Sequence, residues 1–260
     1  MPKQFKRTII WLLLGFFLIA LIVFLNNKRT EKSDYKIGLV TDIHAGNEKT
    51  RFNIDGVDYG FPREYKKLFL KTLLEMKKEK VDFVLAIGDN TNNGKNQYAD
   101  TLVKIANENK VEVIWVKGNH DREKTNVMRN FGLKGKYYYF VDKGSWRIIV
   151  LDSSEIDPTN TGGISSEQTL WLKETLKTEK DIIIAMHHPI YSESDLEKRH
   201  PVYDEFQKII EEAGNVKYVF SGHYHTVDFS KTVNGIEYQI IKSLTLEKDV
   251  PNFKIINIQK

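Results

Sequence analysis

Six short apolar runs rich in β-branched residues limit what this chain can fold into more than any other feature. They read "YKIGLV" (35–40), "DFVLAIG" (82–88), "VEVIWVKG" (111–118), "WRIIVLD" (146–152), "DIIIAMH" (181–187) and "KYVFSG" (217–222). Runs of this length and composition are strands. Between several of them lie amphipathic segments at 63–80, 97–108, 166–177 and 203–213; the first puts Tyr65, Leu68, Phe69, Leu73 and Met76 on one face. Pro62 is placed to start that helix, Ser165 and Gln168 make a capping box, and Gly214 closes the last helix. Turn residues at Lys143-Gly144 and Asn234-Gly235 add two hairpins, the second with the strong type I′ signal. Strands that alternate with helices and are interrupted by hairpins predict an α/β fold of mixed sheets flanked by helices.

The strands share a second property, which lies just past their ends. "GLVTDIH" delivers Asp42 and His44, "LAIGDN" delivers Asp89, and "IWVKGNHD" delivers Asn119, His120 and Asp121. "IIIAMHHP" delivers His187 and His188, and "VFSGHYH" delivers His223 and His225, so six of the seven histidines come just after a strand. Loops beyond the carboxyl ends of strands are where α/β folds collect their ligands. Neutral imidazole beside carboxylate is metal-binding chemistry. One His-x-His in a turn is as well explained by solvation, but five such fragments in one chain predict a metal site. The seventh histidine, His200 in "KRHPV", has no partner motif and is read as an ordinary surface side chain.

Composition narrows the chemistry. There is no cysteine, so disulfides, thiolate ligands and thiol nucleophiles are excluded. The net charge of +4 belongs to the first 34 residues, which hold six basic and two acidic side chains. The other 226 residues carry 33 of each sign, so no nucleic-acid partner is expected.

After a short basic segment at 1–7, residues 8–25 ("TIIWLLLGFFLIALIVFL") run eighteen positions without a charge. That length reaches what a bilayer span requires. The next residues, "NNKRTEKSD", contain no small-residue cleavage site and no lipid-accepting cysteine. The expectation is one uncleaved N-terminal transmembrane helix acting as a signal anchor, a polar linker at 26–34 and a domain at 35–260. The balance of flanking charge places that domain outside the cytoplasm at the cell membrane. On this reading the protein fractionates with membranes at full mass, and protease added to wall-stripped cells degrades the domain. A soluble product beginning near residue 26, or a protected domain, contradicts the corresponding half.

The ordered set "DIH", "GD", "GNHD", "HHP" and "GHYH" over residues 42–225 resembles the calcineurin-like metallophosphoesterase superfamily, whose pattern is D-x-H, G-D, G-N-H-[DE], H-x-P and G-H-x-H. The resemblance implies an αββα sandwich of two mixed β-sheets flanked by helices. It also implies a pair of metal ions: one on Asp42, His44 and His225, the other on Asn119, His187 and His223, with Asp89 shared between them. Mn, Fe, Zn and Co all suit such mixed nitrogen and oxygen ligands. Two cations about 4 Å apart neutralise a phosphate ester, activate water and align the displacement.

By the same resemblance His120 is not a ligand; it lies beside the phosphate and protonates the leaving oxygen or stabilises charge on it. Asn92 is expected to orient that ring, Asp121 to accept hydrogen bonds in its loop, and His188 to sit at the rim of the site or behind the ligands. The implied function is metal-dependent hydrolysis of phosphate monoesters or diesters; the rival from another class is a non-catalytic, metal-stabilised sensor on the membrane.

Departures from two subfamilies exclude their specialities. His44 and Asn92 replace the Gly and Tyr of purple acid phosphatases, and "GDNTNNG" lacks the Arg of protein phosphatases. "YYYFVDKGSWRIIVLDS" and "GGISSEQTLWLKETL" are most similar to the cyclic-nucleotide phosphodiesterase branch, so a nucleotide or cyclic nucleotide is the substrate in view. The segment 45–62 reads as a solvated loop rimming the metals, where Arg51 could grip a phosphate and Phe52 could stack on a base.

Overall fold

A computed structural model describes residues 33–54, 56–121, 127–156 and 161–259. The expected membrane span at 8–25, the segment 1–7 and nearly all of the linker lie outside them. Among the described residues no helix is long and apolar enough to cross a membrane.

The apolar runs pair into two mixed sheets. The first has the order β14-β1-β4-β5, where β1 is Tyr35–Val40, β4 is Phe83–Ile87, β5 is Val113–Val116 and β14 is Lys254–Ile258. β1, β4 and β5 are parallel, and β14 is antiparallel to β1. The second has the order β12-β13-β11-β8-β7-β6. Its strands are β6 (Tyr139–Lys143), β7 (Trp146–Val150), β8 (Asp181–Ala185), β11 (Val216–Ser221), β12 (Phe229–Val233) and β13 (Ile236–Ile240). β7, β8, β11 and β13 are parallel, with antiparallel hairpin partners at both edges.

Three apolar layers hold these sheets. Leu39, Leu85 and Val116 of the first sheet face Trp146, Ile148, Ile183 and Phe220 of the second. Each such side chain contributes about 1.5–3 kcal/mol on burial. The outer face of the first sheet is covered by helices α1 (Tyr65–Lys78) and α2 (Asn96–Glu108), through Phe69, Leu73, Met76 and Leu102. A short helix, α3 (Val127–Asn130), joins them, and its Met128 packs in the same layer. The second sheet is covered by α4 (Ser166–Thr175) and α5 (Asp204–Ala213), through Leu172, Phe206 and Ile210. Strands buried on both faces read as continuous apolar runs, which is why β4 and β8 show no alternation.

Three local expectations differ from the structure. The first hairpin turns at Gly144-Ser145, one residue late, because Lys143 pairs with Trp146 and Gly144 carries the positive φ of 52°. Only half the capping box forms: Ser165 accepts the Gln168 amide at 3.2 Å, but the Gln168 side chain is committed to the backbone of Asp152. Segment 45–62 is not a plain solvated loop. It carries the hairpin β2 (Phe52–Ile54) and β3 (Val57–Tyr59), tied down by Gly60 and Phe61 amides donating to Leu246 and Thr245 carbonyls. A further small hairpin, β9 (Tyr191–Ser192) with β10 (Asp195–Arg199), was not visible in the sequence pattern.

Candidate metal centre

The loops after β1, β4, β5, β8 and β11 meet at one end of the sandwich. His44 and Ala45 amides donate to Asp89 and Asn90 carbonyls, and the Gly222 amide donates to the His187 carbonyl. Sharp turns are needed to aim side chains inward immediately after a strand, and the backbone records them: Asp42, His44, Asp89 and His223 all have φ between 47° and 69°. Such left-handed residues cost on the order of 1 kcal/mol each and gather at functional sites. Two glycines make room. A Cβ on Gly118 would lie 2.1 Å from the Asp89 amide, and one on Gly88 (φ 80°) would lie 2.5 Å from His187 Nδ1.

Asp42, His44, Asp89 and His225 converge as one cluster that could hold a metal ion. Asp42 Oδ1 lies 3.3 Å from His225 Nε2 and 3.5 Å from His44 Nε2, and the two imidazole nitrogens are 3.2 Å apart. Asp42 Oδ1 is buried and accepts no hydrogen bond among the described residues. Its companion Oδ2 accepts from the Thr41 hydroxyl (2.7 Å) and the His223 amide (2.9 Å). A buried carboxylate oxygen left bare beside lone-pair nitrogens is the donor set a cation fits.

His187, His188 and His223 form the second cluster. The Nδ1–H of His187 donates to the Ile87 carbonyl (3.1 Å), which turns Nε2 toward Asn119 Oδ1 (3.1 Å) and Asp89 Oδ2 (3.3 Å). Asp89 Oδ2 also lies 3.5 Å from His44 Nε2, so one oxygen stands between the clusters. Its partner Oδ1 is held by the His120 amide at 2.7 Å.

Burial pushes the Asp42 and Asp89 carboxyls up, but the surrounding imidazoles, His187 foremost, pull harder, and both end well below the carboxylate range. Burial lowers His44 to about 3, His223 to about 4 and His188 to about 2, so all three offer lone pairs at pH 7. His187 is the exception: burial opposes its charge, yet Asp89 and Asp42 raise it to about 9.

Asp42, His44, Asp89, His187 and His188 are buried as the floor, while Asn119, His120, His223 and His225 are half-buried toward the mouth. His188 is therefore not at the rim: it is fully buried, its Nδ1 sits 3.0 Å from Ser153 Oγ, and its Nε2 has no partner among the described residues. Asn92 does not orient His120 through its side chain. Its backbone carbonyl accepts from His120 Nδ1 (2.7 Å), while its own Oδ1 is buried without a partner among the described residues. His120 Nε2 is thereby presented to the cleft.

His200 is not a free surface side chain either. Its Nε2 lies 3.1 Å from the hydroxyl of Tyr224, between His223 and His225. Arg51 enters the first cluster, with Nη1 against His44 Nε2 and 3.2 Å from His225 Nε2, and Nη2 lies 3.3 Å from His120 Nε2. Phe52 packs against His225 and Tyr59, with ring centroids at 5.7 and 5.9 Å and planes 17° apart in both pairs.

Asp121 is fully buried and accepts from the amides of Asn90, Thr91 and Gly118, the Asn90 side chain and the Thr91 hydroxyl, at 2.8–3.2 Å. Burial, with Asp89 nearby, raises its pKa against those donors. Asp121→Ala orphans these groups and is expected to cost about 3 kcal/mol, seen as a melting temperature lowered by roughly 10 °C. An unchanged melting temperature contradicts that role. The sequence reading missed Thr41, and also Ser243, whose hydroxyl donates to the Asp42 carbonyl (2.8 Å) and whose amide donates to the His225 carbonyl (3.0 Å). Isolated hydroxyl residues carry no signal of that kind.

The sandwich of two mixed sheets thus gathers, at its strand ends, two side-chain clusters that could each hold a metal ion. Residues 35–227 match the family model of the calcineurin-like phosphoesterases, and the chain belongs to that family. It is a hydrolase acting on phosphoric ester bonds.

Among its relatives is a "probable cyclic nucleotide phosphodiesterase" of Fibrobacter succinogenes, 28% identical over 205 residues, covering 75% of each chain. A 3',5'-cyclic-nucleotide phosphodiesterase of Nostoc sp. is 27% identical over 215 residues, covering 80% of this chain and 77% of its own. The crystal structure of a dimetal phosphatase from Danio rerio shares the fold, with a TM-score of 0.72 over 88% of this chain and 94% of that one, at 16% identity.

Proposed function

We propose that the protein hydrolyses phosphodiesters, 3',5'-cyclic nucleotides among them, on two metal ions drawn from Mn, Fe, Zn and Co. The first ion is assigned to Asp42, His44 and His225, and the second to Asn119, His187 and His223, with Asp89 bridging. The observation that carries this reading is Asp89 Oδ2, within 3.5 Å of an Nε2 in each cluster. When bound, such a pair neutralises the phosphate and supplies an activated water. The names of the relatives support the substrate class.

The remaining work falls to the chain's own side chains. His120, held through Nδ1 by the Asn92 carbonyl, carries a proton at Nε2 and gives it to the departing alcohol oxygen. Arg51 holds the phosphate. Its guanidinium lies against His44, His225 and His120, where a phosphate held at the cluster would meet it. Guanidinium matches phosphate with two parallel hydrogen bonds. Arg51→Gln should therefore raise KM about tenfold while changing kcat less, a loss near 1.4 kcal/mol. An unchanged KM removes Arg51 from substrate binding.

The test of the function is a panel of 3',5'-cyclic nucleotides, nucleoside monophosphates, sugar phosphates and lipid phosphates, assayed with Mn²⁺ and the purified full chain. Turnover of the cyclic nucleotides above the monoesters supports the reading; monoesterase activity alone overturns the diester assignment.

A further inference from the structure

Behind the second cluster lies a buried polar network that none of the chemistry above uses. Lys117, two residues before Asn119, is 6% exposed, and its Nζ donates to both oxygens of Asp152 (2.9 and 3.1 Å) and to Ser154 Oγ (2.6 Å). Ser154 in turn donates its amide (3.0 Å) and hydroxyl (2.6 Å) to Asp152 Oδ1. The residue between them reaches the opposite way: Ser153 Oγ accepts the His188 amide at 2.9 Å and lies 3.0 Å from His188 Nδ1.

Three consecutive residues thus connect the end of β5 in one sheet to the end of β8 in the other. Their far side is fixed as well, since Gln168 accepts from the Asp152 amide and donates to its carbonyl, and the Gly163 amide donates to the Ser153 carbonyl. A buried ammonium cannot be left without its carboxylate, so the pair holds the two loops together.

We infer that Asp152–Ser153–Ser154 is a positioning strap that sets the separation of Asn119 and His187, and so tunes the second metal site selectively. The inference rests on the dimetal reading above. Asn119 and His187 are the two residues of that site whose neighbours in the chain, Lys117 and His188, the strap grips. Their side chains meet at 3.1 Å across the boundary between the sheets. The first cluster takes Asp42 and His44 from β1 and His225 from β11, none of which the strap touches. Partners behind metal ligands typically tune affinity 10–100-fold.

The test is calorimetric titration of the chelator-stripped full chain with Mn²⁺, alongside thermal melting. Asp152→Asn is expected to weaken the second ion at least tenfold and to leave the first within about twofold, as for removal of a supporting partner. The double variant Lys117→Met with Asp152→Leu exchanges the ion pair for apolar side chains and should recover the melting temperature, yet the second ion stays weak.

Ser153→Ala removes only the hydroxyl against His188, and it carries the same expectation if the other variants fail to fold. Return of the second ion together with the melting temperature, or equal weakening of both ions, overturns the strap. Wild-type protein that binds fewer than two ions overturns the dimetal reading, a failure visible before any variant is made, and the strap falls with it.

Discussion

Asp89→Ala is expected to lower kcat at least a thousandfold and to cut the bound metal from two ions per chain to one or none. Both effects have one cause. Oδ2 of this residue lies within 3.5 Å of His44 Nε2 and His187 Nε2, while Oδ1 is pinned by the His120 amide. Without the shared carboxylate two cations repel each other across the gap, and a loss of several kcal/mol of charge stabilisation corresponds to three or more powers of ten in rate. Alanine also suffers at φ 48°, where a residue other than glycine, asparagine or aspartate is strained by about 1–2 kcal/mol. Asp89→Asn separates the two effects, because it tolerates that backbone and keeps the shape but removes the charge. Elemental analysis beside a rate measurement decides the matter. Two ions per chain with wild-type turnover in the Asn variant would end the bridging assignment.

His120→Ala should divide substrates by their leaving groups. A general acid contributes about 10²–10⁴-fold where the departing oxygen needs a proton. For the ribose alkoxide of a cyclic nucleotide, the expected loss is therefore a hundredfold or more. For a bis(p-nitrophenyl) ester, whose phenolate leaves unaided, the loss should stay under about tenfold. The Asn92 carbonyl on Nδ1 fixes which nitrogen faces the substrate, so Asn92 itself can change to another polar residue at little cost to this step. Equal losses on both ester classes would assign His120 to binding and remove it from proton transfer.

Much of the centre was legible because its signals are local. A β-branched run that ends in Gly-Asp or Gly-Asn-His marks both a strand and the ligand-bearing loop at its end. Two such endings, with the D-x-H, H-H-P and G-H-x-H endings of three further runs, named the side chains that the structure gathers. The features that escaped depend on contacts distant in sequence. β14 ends a polar stretch and becomes a strand only by pairing with β1. Arg51 and Phe52 sit in a segment of mixed character whose hairpin is held by packing on His225 and by the backbone around Leu246. Asn92 acts through its carbonyl, which every residue possesses, so residue type could not reveal the contact. His200 looked isolated because its partner, Tyr224, is 24 positions away. Lys117 and Asp152 carry no mutual signal in the sequence, because only the two sheets bring them 2.9 Å apart.

The central claim is that two bound cations, held on either side of Asp89, make the phosphoesterase. Stepwise addition of Mn²⁺ to chelator-stripped full-length protein, with hydrolysis of a 3',5'-cyclic nucleotide measured at each step, tests it directly. Turnover should stay near zero until the first equivalent is bound, rise with the second, and disappear again when chelator is returned. Full turnover by protein that analyses as metal-free, or a rise complete at one ion per chain, contradicts the account.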